Sequence, residues 1–235
     1  MNGRVLFAWA VHLYTALGLV CSAAIVVLIV RGDDVAFRTA FFLMMVATAI
    51  DATDGWLARQ ARVHEVLPHF DGSELDNLID FHTYTSLPLL LIWRAGILPE
   101  SLAWLLLLPL LASAYGFSQV NAKTDDGFFL GFPSYWNIVA FYLYALHAPL
   151  WFSAPVIVVL SILTFIPTHY IYATRGGPFS RLINIGAVVW FVLLALVLLG
   201  REPVAHLAAL VSLAYPTMYL VLSAVVTVQK RAAAN

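Results

Sequence analysis

The sequence predicts an all-α integral membrane protein, a polytopic bundle of about eight transmembrane helices forming a single domain over residues 1–235. Three observations predict it. Apolar residues make up 62% of the chain and charged residues 11%, whereas a soluble domain carries about 25% charged residues. The apolar residues gather into runs long enough to cross ~30 Å of hydrocarbon as helices, separated by short polar turns. The runs are also continuous, while strands of a membrane barrel need only ~9–11 residues of alternating character.

The first run, Val5 to Val30, is too long for a signal-peptide core and reads as a retained helix. Its 26 residues would extend about 39 Å, so the helix tilts or begins in the interface, near His12 and Tyr14. After the polar turn Arg31–Asp34, a second span runs from about Val35 into an acidic cluster ending at Arg59. Residues 60–71 form a polar connector containing Arg62, His64, Glu65, Pro68 and His69. The third span is expected from Gly72 to Trp93, the fourth from Leu102 to Gln119 and the fifth from Tyr135 to Phe152. The sixth, seventh and eighth follow over Val156–Ala173, Leu182–Leu199 and Val204–Val228. Pro109, Pro149, Pro167 and Pro216 fall in or near these spans, where lipid-embedded helices tolerate kinks.

Eight spans put both termini on one side. That side collects Arg4, Arg59, Arg62, Lys123, Arg175, Arg181, Lys230 and Arg231, against Arg31, Arg38, Arg94 and Arg201 opposite. Eight against four predicts termini in the cytoplasm, with the acidic cluster opening there too. The net charge of −1 offers no concentrated basic surface, which excludes nucleic acid as a partner. Cys21 is the single cysteine, so the chain forms no internal disulfide and no paired-thiol metal site.

Seven of the thirteen acidic residues lie between Asp51 and Asp80. The spacing reads Asp51-x2-Asp54-Gly55-x2-Ala58-Arg59, then twelve residues, then Gly72-x3-Asp76-x3-Asp80. Residues three or four apart share a helix face, so Asp51 and Asp54 form one carboxylate pair and Asp76 and Asp80 another. Four facing carboxylates in a low-dielectric interior repel strongly, and divalent metal is what stabilises such a cluster. Acids in a membrane helix also mark ion pathways, but a transporter would carry them near mid-membrane in two related halves. Here they sit at one end of their spans, and the chain has no internal repeat.

The pattern resembles the signature of the CDP-alcohol phosphotransferase family, matching each of its fixed letters. The one departure is the twelve-residue spacing between Arg59 and Gly72, which resembles the bacterial branch that joins choline to CDP-diacylglycerol. The resemblance implies a phospholipid synthase of the bacterial inner membrane, active at the cytoplasmic face and working as a homodimer among membrane lipids. Asp51, Asp54 and Asp76 would be ligands of two divalent ions, Mn²⁺ or Mg²⁺, with Asp80 touching a metal and acting as general base. Gly55, Ala58, Arg59 and Gly72 would make the nucleotide site: small residues where the nucleotide approaches, a fixed charge for phosphate, and room for cytidine. Serine, inositol or glycerol 3-phosphate are the alternative acceptors; the last would need a second basic cluster, for which only Arg62, Lys123, Arg175 and Arg181 are at hand. Choline has no N–H to donate, so an aromatic face is its expected recognition device. Position alone nominates Tyr84, Tyr135 and Trp136, with the Asn137 amide orienting the hydroxyl.

Overall fold

In the computed structural model, which describes residues 2–124, 126–172 and 179–234, the first apolar run is a single helix, α1 (Gly3–Arg31). Asn2 caps its start, accepting from the Arg4 amide at 3.3 Å. Gly32 ends it in the left-handed region, φ 74°, returning its N–H to the Leu28 carbonyl at 3.1 Å. The Arg94 guanidinium packs where a side chain at Gly32 would stand, so both φ and space require glycine there. Asp33 then caps α2 (Asp34–Ala61) through the Ala36 amide at 3.0 Å, and pairs with Arg31. α1 and α2 thus form a hairpin of two long helices. The inner stripe of α1 is Ala8, Val11, His12, Thr15, Gly18, Ser22, Ile25 and Ile29, at three- and four-residue steps. Leu6, Leu13, Val20 and Val27 lie exposed on its outer side, the surface a lipid would cover.

Arg62, at φ 48°, breaks the chain into the connector, which contains one short helix, α3 (Val63–Val66). The third span is one continuous helical run in three parts: α4 (Gly72–Asp80), a π-helical turn (Phe81–Ser86) and α5 (Leu87–Arg94). The wide turn has a local cause. Pro88 cannot donate to the ladder, and its ring disfavours the carbonyl four residues back, at Tyr84. The amide of Leu87 instead reaches the His82 carbonyl, a five-residue step.

A 3₁₀ stretch, Glu100–Leu106, leads into α6 (Leu107–Ser118), with Pro109 carried inside and fully buried. The fifth and sixth spans depart from expectation. The helix that begins at Trp136 is α7 (Trp136–Ala145), and the chain turns over residues 146–149 before α8 (Leu150–Leu163). Pro149 causes the break, because it restrains Ala148 from helical geometry and caps α8 in an extended conformation, ψ 156°. Pro155 is tolerated inside α8. Pro167 follows that helix, and the remainder of the expected sixth span becomes a strand; its end at Ala173, with Arg175, lies outside the described residues.

That strand, β2 (His169–Ile171), pairs antiparallel with β1 (Phe128–Leu130), Phe129 opposite Tyr170. Two three-residue strands do not alter the all-α class. The outer edge of β2 is covered by the last helix: His169 N–H donates to Thr227 Oγ1 at 2.8 Å and Ile171 N–H to Ser223 Oγ at 3.3 Å.

α9 (Ser180–Leu199) is the seventh span. The eighth is divided into α10 (Val204–Ser212) and α11 (Ala214–Ala234), the break falling four residues before Pro216, whose ring excludes the Ser212 carbonyl from the ladder. Arg38 on α2 closes the end of α9, donating from Nη2 to the Val197, Leu198 and Gly200 carbonyls at 2.8, 2.7 and 2.9 Å, and from Nε to Leu198 at 3.0 Å. The main core gathers Phe41, Leu91, Ile92, Trp136, Phe141, Ile157 and Trp190 from α2, α5, α7, α8 and α9.

Among the described residues five helical stretches are long and apolar enough to cross a membrane: Gly3–Arg31, Asp34–Ala61, Glu100–Ser118, Ser180–Leu199 and Val204–Ala232. The chain is therefore a multi-pass membrane protein. The expected count of eight is not reached by this measure, because the Gly72–Arg94 run is interrupted and α7 and α8 have only 10 and 14 residues.

Candidate active site

α2 carries Asp51 and Asp54 one turn apart, and α4 carries Asp76 and Asp80 on its inner face. The connector turns the two helices toward each other, and Asp71 starts α4 by accepting from the Ser73 and Glu74 amides at 2.9 and 3.2 Å. Asp71, an acid of this stretch that lies off the paired spacing, is thus an N-cap. Oxygens of Asp51, Asp76 and Asp80 come within 4.8 Å of one another. Asp54, 6% exposed, stands beside Asp76 and Thr15. The four carboxylates line one cavity together with Thr15, Gly18, Ala47, Ile50, Ile79 and Thr83.

The cavity has a third wall that charge spacing did not reveal. α1 contributes Thr15 and Gly18, and Gly18 permits the approach of α4, since a Cβ there would meet Ile79 Cγ2 at 2.5 Å. The signal was available as a polar and small residue three apart inside an apolar run. Lys123, one of the four basic residues at hand for a phosphorylated acceptor, is brought to the site as well. Its exposed ammonium bears electrostatically on all four carboxylates and lies over the rings of Phe129 and Tyr172, 5.9 and 6.0 Å from their centroids.

Tyr84 is buried, and its hydroxyl donates to Asp51 Oδ2 at 2.7 Å. Its ring is 6.2 Å from that of Tyr135, which is 6.2 Å from Tyr219. Trp136 has no exposure, and its Nε1 donates to Ser113 Oγ at 3.0 Å, so it faces the core and away from the cavity. Asn137 donates to Thr48 Oγ1 at 3.3 Å, one turn before Asp51 on α2. On the nucleotide side, Arg59 is exposed and folds back along α2, 3.5 Å from where a Gly55 Cβ would lie. Ala58 packs with Ala8, Val11, Ala61 and Val63. Gly72 faces the His12 ring, which a Cβ would meet at 2.6 Å.

Outside the membrane-embedded cluster, the Lys230 ammonium and the Thr124 hydroxyl hold Asp126 below the usual carboxylate range. This ties the loop that carries Lys123 to the end of α11.

The donor set fits a hard divalent cation. It is all carboxylate oxygen, and one oxygen from each of Asp51, Asp76 and Asp80 lies within 4.8 Å of the other two, close enough to be drawn onto one ion. Such a carboxylate site, with Lys123 bearing on it electrostatically, is suited through a divalent ion to gripping a diphosphate.

Residues 11–127, which include every acid of the cavity, match the model of the CDP-alcohol phosphatidyltransferase family. A protein of Legionella bozemanae named phosphatidylcholine synthase is 35% identical over 192 residues, covering 78% of this chain and 88% of its own. The chain belongs to the CDP-alcohol phosphatidyltransferase family. It is an enzyme, a phosphatidyltransferase. A Pseudomonas aeruginosa protein of the same name shares 35% identity over 79% of this transferase and 77% of its own length. One from Borreliella burgdorferi shares 31% over 77% and 76%.

Proposed function

We propose that this transferase moves the phosphatidyl group of CDP-diacylglycerol onto choline, giving phosphatidylcholine and CMP. The observation that carries the reading is the convergence of Asp51, Asp76 and Asp80 oxygens within 4.8 Å, in a family member whose relatives carry that activity in their names. Asp80, at the deep end of α4, takes the proton of the choline hydroxyl. The freed oxygen attacks the phosphatidyl phosphorus; the bond to the bridging oxygen breaks, and its electron pair leaves with CMP. The proton on Asp80 then passes to water. Asp51, Asp54 and Asp76 would hold divalent ions, Mn²⁺ or Mg²⁺, with Asp80 touching one of them. When bound, such ions neutralise the diphosphate and the charge that develops on the leaving group. Tyr84 holds the Asp51 carboxylate in one orientation. Arg59 and Lys123 supply fixed positive charge for the phosphates.

Choline presents a quaternary ammonium, for which the rings of Tyr84, bonded to Asp51, and Tyr135, 6.2 Å from Tyr84, offer an aromatic surface beside the acids. With Trp136 bonded to Ser113, the aromatic reading narrows to these two. The distribution of Lys and Arg supports a site facing the cytoplasm of a bacterial inner membrane, where choline and the departing nucleotide are soluble.

The test is CMP release from CDP-diacylglycerol by purified protein with Mg²⁺ or Mn²⁺ and each alcohol in turn. Choline should support turnover well above ethanolamine, serine, inositol and glycerol 3-phosphate. Equal rates with ethanolamine or serine would remove the choline assignment and leave the transferase. Alanine at Asp51, Asp54, Asp76 or Asp80 should abolish turnover, as should a chelator. A rate indifferent to chelator would sink the metal reading.

A further inference from the structure

The end of the molecule opposite the acids holds a second cleft, which the transfer reaction does not use. The fold brings its walls together from four places: Asp34 and Arg38 at the start of α2, Tyr144 at the end of α7 with His147 in the turn that follows, the last turn of α9, and Glu202 just before α10. Asp54 lies about 20 residues along α2 from Asp34, or ~30 Å, so the two clefts stand a hydrocarbon thickness apart. The second has about 410 Å³ of unfilled space, its open mouth included. Val35, Leu199 and Val204, the apolar residues next in sequence to this lining, are all exposed. The mouth therefore borders the surface that lipid covers.

Charges of both signs meet in this cleft without pairing. The Glu202 carboxylate and the His147 imidazole form no hydrogen bond or ion pair among the described residues, and Asp34 is bonded by the Tyr144 hydroxyl and by no cation. Arg38 uses Nε and Nη2 on the carbonyls of Val197, Leu198 and Gly200, which leaves Nη1 without an acceptor among the described residues. A simple anion would meet two carboxylates here, and a simple cation would meet the guanidinium. A divalent ion is not favoured either, because Asp34, His147 and Glu202 do not converge as Asp51, Asp76 and Asp80 do. A ligand carrying both charges a few bonds apart satisfies both sets at once. We propose that the cleft binds the headgroup of a zwitterionic phospholipid from the leaflet remote from the acids. Its phosphate accepts from Arg38 Nη1, with His147 as a second donor at the rim, and its primary ammonium donates to Asp34 and Glu202. The acyl chains lie outside, along Val35, Leu199 and Val204. Bound there, the lipid bridges α2, α7 and the turn between α9 and α10, and so stabilises the folded protein by mass action.

The experiment uses the full-length protein in detergent, with phosphatidylethanolamine, phosphatidylglycerol and soluble phosphoethanolamine as probes. Lipid retained per chain is read by native mass spectrometry, and the thermal midpoint is followed alongside. Wild type should retain phosphatidylethanolamine about tenfold over phosphatidylglycerol, which has the phosphate and lacks the ammonium, and phosphatidylethanolamine alone should raise the midpoint. Glu202→Gln and Asp34→Asn each remove one charge with little change of shape, and should bring retention of phosphatidylethanolamine down to that of phosphatidylglycerol. Glu202 is exposed and bonded to no described residue, so its loss of retention reports the cleft and not a folding defect. Equal retention of the two lipids by wild type overturns the proposal. So does a preference that survives both variants, since the lipid then sits elsewhere. A midpoint raised as much by phosphoethanolamine overturns it too, because the ligand is then a soluble zwitterion. None of these outcomes bears on the transferase reading, as no residue of this cleft lines the acidic cavity.

Discussion

Tyr84 donates a charge-assisted hydrogen bond to Asp51, so its hydroxyl and its ring have separable roles. If the hydroxyl orients a metal-binding carboxylate, Tyr84→Phe should lower kcat about tenfold, the equivalent of ~1.4 kcal/mol, and leave the choline KM nearly unchanged. Tyr135→Ala should do the reverse, raising the choline KM up to about thirtyfold, as expected for loss of a desolvated cation–π contact of ~2 kcal/mol. Steady-state kinetics with each substrate varied separately distinguish the two; a choline KM unmoved by Tyr135→Ala would put acceptor recognition elsewhere. The four aspartates were legible because charge in an apolar helix is rare and their three- and four-residue spacing puts them on shared faces. Thr15 and Gly18 were not, since neither carries a charge and their grouping with the acids depends on α1 packing against α4. Trp136 was nominated by its place at a helix start. What sequence position could not say is which way that start faces, and the hydrogen bond to Ser113 turns it into the core.

At the scale of elements, prolines decide where the spans differ from the apolar runs. Hydropathy sees one continuous stretch across Pro149 and another across Pro216, yet each loses a ladder donor and forces its neighbour carbonyl aside. The same chemistry at Pro88 yields a wide turn, placed just after Asp80 and containing Tyr84. The helices α1, α2 and α9 follow their apolar runs closely because caps or polar turns bound them. The paired strands were not legible, being three residues each and dependent on a contact forty residues away. Nor could the sequence assign Arg38 more than a side of the membrane. Its guanidinium satisfies the Val197 and Leu198 carbonyls at the end of α9 and that of Gly200 beyond it, for which no other donor stands among the described residues. Arg38→Ala should therefore lower stability by about 2–3 kcal/mol without touching the acids, and Arg38→Lys should recover only part, because an ammonium cannot reproduce the planar fork. Thermal inactivation in detergent, with the KM values of the surviving enzyme, checks both claims; a lowered midpoint with unchanged KM is the expected pair.

For the whole molecule, the proposed orientation rests on eight positive residues against four, assigned to sides on the expectation of eight spans. Gln60 is exposed just past the acidic pair. In a Cys21→Ser background, a cysteine introduced by Gln60→Cys should react with an impermeant thiol reagent only after cells are opened, and labelling of intact cells would reverse the topology. The turn between α1 and α2 also fixes a depth. Counting about 20 residues, or ~30 Å, from Asp34 along α2 reaches Asp54, and the same count back along α1 from Arg31 reaches His12. On the proposed topology Asp54 thus stands about one hydrocarbon thickness from the α1–α2 turn, near the opposite interface, where the diphosphate of the proposed lipid donor would lie. The two proposed substrates would then meet the protein in different dimensions. The lipid donor arrives by lateral diffusion, so its effective concentration is a mole fraction of the bilayer, diluted by added neutral lipid at constant bulk molarity. The soluble alcohol arrives from three-dimensional solution and is indifferent to that dilution.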